Sequence, residues 1–163
     1  AIPVMRRQGY GRIIQNSSVL RFVALPFRGA YNASKYAIEG LSDTLRLELR
    51  GSNIYVSLIE PGPIASQFRM NAVKALAKYI DIDSSFHRER YQGVLARLNK
   101  PGPAVPFTLP PEAVLERVIH ALEAAKPQPR YYVTFPTYLF GFLKRVLSTR
   151  VLDVLLAKSG NNN

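Results

Sequence analysis

Apolar and polar positions alternate along this chain in two rhythms, one helical and one β. Ile2, Val4 and Met5 form the apolar side of the last turns of an amphipathic helix over 1–8, and Gly9-Tyr10-Gly11 ends it. Residues 12–15 read R-I-I-Q, a short β-rich run that stops at Asn16-Ser17-Ser18. An apolar run of this kind suits burial inside a parallel sheet. A second helix is predicted over about 28–50, with Ala33, Ala37, Leu41 and Leu45 as its buried stripe. Ala30, Ser34 and Gly40 add small side chains that admit a neighbouring helix. Gly51-Ser52-Asn53 stops it, and I-Y-V-S-L-I over 54–59 is the clearest strand.

The pattern then turns helical twice, over 68–78 and over 84–98, the second with Ser84-Ser85 as its cap. A turn-rich connector with Pro101-Gly102-Pro103 runs from Lys100 to Pro111. Pro110-Pro111-Glu112 opens a helix to Ala125, since proline is tolerated in a first turn. Y-Y-V-T-F within 130–135 reads as a final strand. From Tyr138 to Lys158 the tail is apolar and basic: Phe140, Phe142, Leu143, Val151, Leu152 and Leu156 alternate with Lys144, Arg145 and Arg150. Such a stretch suits an interfacial helix, a helix closing over a pocket, or one docked on a partner, with the last two favoured. Gly160 to Asn163 reads as a frayed end.

Helix, strand, then a loop at the strand's carboxyl end is α/β grammar. The fold class expected is a Rossmann-like, doubly wound parallel sheet, incomplete in its strand count. The domain reading is 1–135 as a catalytic α/β unit, with 68–99 covering the substrate, and 136–163 as a helical tail. In open α/β sheets ligands bind beyond the carboxyl ends of strands, where Ser17-Ser18 and residues 60–68 lie.

Composition narrows the partners. The chain has 163 residues, 47% of them hydrophobic, enough for one domain with its own core. It lacks cysteine, and His87 and His120 lie far apart, so no metal site is expected. His87 reads as a solvated or capping residue. The formal charge of +11 attracts phosphates and anionic lipids in general. No zinc-finger spacing, aromatic RNA-binding motif or long basic run accompanies it, so nucleic acid is not expected as a partner. No run of 18 apolar residues occurs, and Arg6 and Arg7 interrupt any leader-like layout. The expected location is cytoplasmic, with membrane association through the tail as an addition.

One pair carries chemistry. Tyr31 and Lys35, four residues apart, share a side of the predicted helix, so phenol and ammonium point into one volume. A nearby ammonium favours phenolate and draws a tyrosine towards working pH. Ser18, at the end of the first strand, is placed to offer a hydroxyl to the same spot, and Ser17 next door points to the opposite strand face. The apolar loop 19–28, with its single Pro26, either packs as filler or lines a pocket.

Ser18, Y-N-A-S-K at 31–35 and E-P-G-P-I at 60–64 together resemble the catalytic part of a short-chain dehydrogenase/reductase, closely over about 11–68. The resemblance implies Ser18, Tyr31 and Lys35 as catalytic residues, and NAD or NADP as cofactor. It implies cofactor contacts from Tyr31, Lys35, Pro61, Gly62, Ile64 and Ser66, with Ile64 offering its backbone to the carboxamide. Ser66 stands where the family more often has threonine. Gly62 is expected to permit a turn that a side chain would forbid. The resemblance further implies a homodimer or homotetramer built on the 28–50 helix. The apolar loop and tail suggest a small hydrophobic alcohol or carbonyl substrate.

No glycine-rich phosphate loop and no matching catalytic asparagine occur in the chain. The expectation is therefore the C-terminal half of a longer enzyme, which alone neither binds dinucleotide tightly nor turns over. Two other readings stand beside it: a cofactor-sensing or scaffold protein that keeps the triad without the chemistry, and a basic membrane-surface module acting through the tail.

Overall fold

A computed structural model of the chain describes residues 1–102 and 105–161, residues 158–161 by backbone alone. The order is α1 (Ile2–Gln8), β1 (Gly11–Asn16), a 3-10 turn (Val19–Arg21), α2 (Gly29–Glu48) and β2 (Ile54–Glu60). Then come α3 (Phe68–Tyr79), α4 (Arg88–Asn99), α5 (Glu112–Glu123), β3 (Arg130–Tyr132), α6 (Phe135–Val146) and α7 (Thr149–Asn161). The strands form one parallel sheet in the order β1-β2-β3.

Register and alternation decide what each face carries. Ile13 lies opposite Val56, and Ile14 opposite Ser57. Ile13, Ile54 and Val56 therefore share one face, where Ile2 and Met5 of α1 and Leu45 and Leu49 from the end of α2 cover them. Ile14, Ile59 and Tyr131 share the other face, under Ala113, Val114, Val118 and Ala121 of the α5 segment. Helices on both faces explain why β2 is buried almost throughout, as a near-continuous apolar run predicts. Gly9, left-handed with φ 77°, ends α1 by donating its N–H to the Arg6 carbonyl.

A third cluster joins the tail to the loop after β1. Leu20, Phe22 and Val23 pack against Leu152 and Leu156 of α7, with Phe140, Leu143 and Tyr31 at its margin. No helix among the described residues is long and apolar enough to cross a membrane.

Several expectations change. The stripe Ala33, Ala37 and Leu41 faces solvent, Leu41 at 64% exposure, and only Leu45 packs inward. The side of α2 turned to the sheet instead buries Asn32, Glu39 and Ser42. Glu39 goes inside because Arg21 and Arg130 from distant segments meet it, Asn32 because its amide donates to the Val23 carbonyl, and no local periodicity contains either fact. Gly40 has open space where a Cβ would stand, so no helix among the described residues packs there.

The last strand stops at Tyr132, because Thr134 takes the N-cap position of α6 and Pro136 sits in its first turn. The tail is two helices, broken at Leu147 where the backbone turns extended. Helix α4 starts at Arg88 with His87 in the N-cap position, and Ser85 Oγ accepts from the His87 N–H at 3.1 Å. The expected frayed end is helical to Asn161, while Asn162, Asn163 and the Lys158 side chain lie outside the described residues. The connector 100–111 includes Pro103 and Ala104, also outside them, and contributes a parallel bridge between Leu109 and Ile64.

Candidate active site

The site residues come from two strand exits and one helix start. Ser18 follows β1 in extended backbone, is 7% exposed, and caps the 3-10 turn by accepting the Leu20 N–H on its Oγ at 3.2 Å. The neighbouring Ser17 N–H donates to the Ile59 carbonyl at 2.8 Å, continuing the ladder, and the Ser17 hydroxyl is buried without a partner among the described residues. Val19 N–H donates to the Pro61 carbonyl at 2.8 Å, so the exits of β1 and β2 are tied together.

Tyr31 and Lys35 lie in the first turns of α2, half-buried on one side. The Lys35 ammonium stands 5.4 Å from the centre of the Tyr31 ring and donates to the Asn16 carbonyl at 2.8 Å, two residues before Ser18. One amine thus links the phenol to the end of β1. Burial lowers the Lys35 pKa below the ordinary lysine value. Tyr31 packs beside Leu20, Phe22 and Val23 and meets Phe68 edge-on at 5.6 Å. Asn32 Nδ2 donates to the Val23 carbonyl at 3.2 Å, which pins the loop 19–28 to this helix. That loop is packed at 20, 22 and 23 but leaves Pro26 and Phe27 exposed. Phe27, at φ 59°, meets His87 and Tyr91 edge-on at 5.4 and 5.3 Å.

At the second strand exit, Gly62 lies against Thr134 and Thr137, both fully buried. Its φ is not in the positive region, so the residue is required by close approach and not by an unusual turn, which corrects the expectation from sequence. The bridge to Leu109 uses the Pro63 carbonyl and the Ala65 N–H. Among the described residues, Ile64's own N–H and carbonyl therefore have no partner. Ser66 Oγ accepts the Phe68 N–H at 3.3 Å. A separate shallow cavity of about 240 Å³ lies beside β3, lined by Arg117, Gln128, Arg130 and three tyrosines, and holds none of these site residues.

One group of residues was not legible beforehand. Glu60, fully buried at the end of β2, shares Arg130 with Glu39 and Asp43 of α2. Arg21 Nε donates to Glu60 Oε2 at 2.8 Å, and its guanidinium also reaches the Tyr132 hydroxyl at 3.2 Å. Arg130 bonds Glu60 Oε1 at 3.0 Å, Glu39, and both Asp43 oxygens at 2.7 Å. Burial is the main influence on Glu60 and raises its pKa, opposed by Arg21. For Arg130 burial acts downward, but hydrogen bonds and charge from Glu39 and Glu60 outweigh it and hold the guanidinium above its usual value. A signal existed: a glutamate closing an otherwise apolar strand is a buried charge that demands a cation.

Residues 1–77 match the family model described as short chain dehydrogenase. Among curated proteins, the uncharacterized oxidoreductase YbbO of Escherichia coli K12 is 44% identical over 155 residues, 95% of this chain and 51% of its own. The NADPH-dependent 3-dehydrocapnine reductase of Ornithobacterium rhinotracheale is 34% identical over 149 residues, 91% of this chain and 50% of its own. The chain spans about half the length of these curated relatives. A crystal structure of a short chain dehydrogenase from Burkholderia cenocepacia J2315 in complex with NADP aligns over 95% of this chain and 50% of its own. Its TM-score of 0.64 at 20% identity is a likeness of fold.

Proposed function

We propose, for a chain that is a partial short-chain dehydrogenase/reductase, that the whole protein is an NAD- or NADP-dependent oxidoreductase. It would exchange hydride with the carbinol or carbonyl carbon of a small hydrophobic alcohol or carbonyl compound. The observation that carries this reading is the Lys35 ammonium beside the Tyr31 ring, anchored to the strand end that leads into Ser18. The relative named as NADPH-dependent and the fold neighbour crystallised with NADP support the cofactor class.

The residues at the second strand exit suit a nicotinamide. Among the described residues the Ile64 backbone groups are unpaired, able to meet a carboxamide, while Pro61, Gly62 and Ser66 shape the loop beside it. When bound, the nicotinamide supplies or accepts the hydride. The chain's own part is acid–base and electrostatic. Tyr31 gives its phenolic proton to the substrate oxygen in reduction and takes it back in oxidation. Lys35 would keep its charge beside the Tyr31 ring through those events and would hold the cofactor's ribose. Ser18 donates to the substrate oxygen as charge builds on it. The exposed side of α2, with Ala33, Ala37, Gly40 and Leu41, supports a homodimer or homotetramer. A cytoplasmic location goes with this reading, and the half-length chain alone would be inactive. Peripheral membrane contact is favoured by one side of α6, where Phe135, Tyr138, Leu139, Phe142 and Val146 stand exposed near Lys144 and Arg145.

The test is Tyr31→Phe in the full-length protein, assayed for nicotinamide oxidation against a panel of aliphatic and aromatic aldehydes. Turnover is expected to fall by about 100-fold or more with cofactor affinity little changed. Undiminished turnover would reject the assignment, and binding without turnover in the wild type would favour the sensor reading.

A further inference from the structure

The charges at the end of β2 do more than compensate one another. Tyr31, Lys35, Glu39 and Asp43 step along α2 at four-residue intervals, each about 40° further around the axis. The two that carry the proposed chemistry and the two that grip Arg130 are therefore turns of one side of one helix. Arg130 opens β3, and its neighbour across the ladder is Leu58 of β2. Arg21 stands at the end of the 3-10 turn that Ser18 caps, and its Nε reaches both Glu60 at 2.8 Å and Glu39 at 3.6 Å. Two arginines thus fasten three pieces at once: the loop with Ser18, the helix with Tyr31 and Lys35, and the end of β2 before Pro61. Asp43 and Arg46 close the group outward at 2.6 Å, and three guanidinium groups balance three carboxylates.

We propose that Arg21, Arg130, Glu39 and Glu60 form a positioning clamp that sets the rotation of α2 against the sheet and thereby holds Tyr31 and Lys35 in line with Ser18. The proposal rests on the reading of those three residues given above. The lever is short. Rotating a helix by about 10° carries a side chain on its rim, about 6 Å from the axis, by about 1 Å. A misplacement of that size at a reacting group costs on the order of 100-fold in rate. Apolar packing on α2 comes from the partly buried Tyr31 and Leu45, while the fully buried residues over its length are Asn32, Glu39 and Ser42. The direction-dependent grip of a forked guanidinium resists such a rotation.

The experiment compares Glu39→Gln, Arg130→Lys and Arg21→Lys with the wild type in the full-length protein. Steady-state turnover uses NADPH or NADH with the best aldehyde of the panel, and thermal unfolding is recorded on the same samples. The clamp predicts kcat lower by about 10- to 100-fold per folded molecule, with KM for the nicotinamide cofactor within about twofold. A lowered unfolding temperature with kcat and KM intact would show plain structural ion pairs and overturn the proposal. Should Glu39→Gln fail to fold, Asp43→Asn releases only the outer hold on Arg130. A smaller fall in kcat would then support the clamp, and an unchanged kcat would overturn it. Tyr31→Phe is run alongside. If it is inert while Glu39→Gln is fully active, the clamp alone falls; if Tyr31→Phe keeps its turnover, the underlying assignment falls with it.

Discussion

Replacing Gly62 by alanine tests the packing behind the proposed cofactor loop with one methyl group. A Cβ at this position would stand 2.1 Å from Thr134 Oγ1, 3.0 Å from Thr137 Oγ1 and 3.3 Å from Thr134 Cβ. Both threonines are fully buried, and their hydroxyls lie 3.2 Å apart as a hydrogen-bonded pair. Thr134 is also the N-cap residue of α6, whose carbonyl accepts the Thr137 N–H at 3.0 Å. Carbon and oxygen need more than 3 Å, so either the loop or the start of α6 must yield by about 1 Å. Overpacking of this kind costs about 1–3 kcal/mol. Parting the two hydroxyls adds about 1 kcal/mol. The expected loss of about 2–4 kcal/mol includes no backbone strain, because the Gly62 backbone is one alanine can adopt. Urea unfolding of the full-length protein measures it, and a double-mutant cycle with Thr134→Ala locates it. Removing Oγ1 relieves the worst contact, so the double variant should be more stable than additivity predicts, by more than about 1 kcal/mol. Additive effects, or a single-variant loss below about 0.5 kcal/mol, would refute the reasoning.

Leu152, 3% exposed, contributes from α7 to the cluster that holds Leu20, Phe22 and Val23. Leu152→Ala should cost about 2–5 kcal/mol by denaturant unfolding, and it should speed proteolysis within the loop 19–28. A loss under about 1 kcal/mol would mean that the tail does not hold that loop. The pH dependence of Asp43 has a definite sign. Burial acts to raise its pKa, but the hydrogen bond from Arg46 and the charge of Arg130 prevail and hold it below the ordinary carboxylate range. Its stabilisation is therefore present above an ordinary pKa of about 4 and fades as pH falls through the lower folded value. The stability gap between wild type and Asp43→Asn should be open at about pH 7 and closed in strong acid; a gap independent of pH would remove the ion pair from the account.

What the sequence by itself determined is local. The spacing of Tyr31 and Lys35 placed them on one side of a helix because 3.6 residues make a turn, whatever surrounds it. The ends at Gly9 and near Gly51 followed from left-handed backbone that glycine adopts freely. The runs at 12–15 and 54–59 read as parallel strands; 54–59, apolar on both faces, is buried almost throughout, whereas 12–15 is only partly buried. The tertiary structure alone decided which side of α2 is inside. Leu41 looked like core and is 64% exposed, while Glu39, which the apolar stripe does not include, is 7% exposed. A carboxylate goes inside only where a cation arrives, and here the cations come from Arg21 and from Arg130, 91 positions beyond Glu39. Gly62 makes the same point from the packing side: its missing Cβ is explained by threonines of α6, far along the chain and adjacent in space.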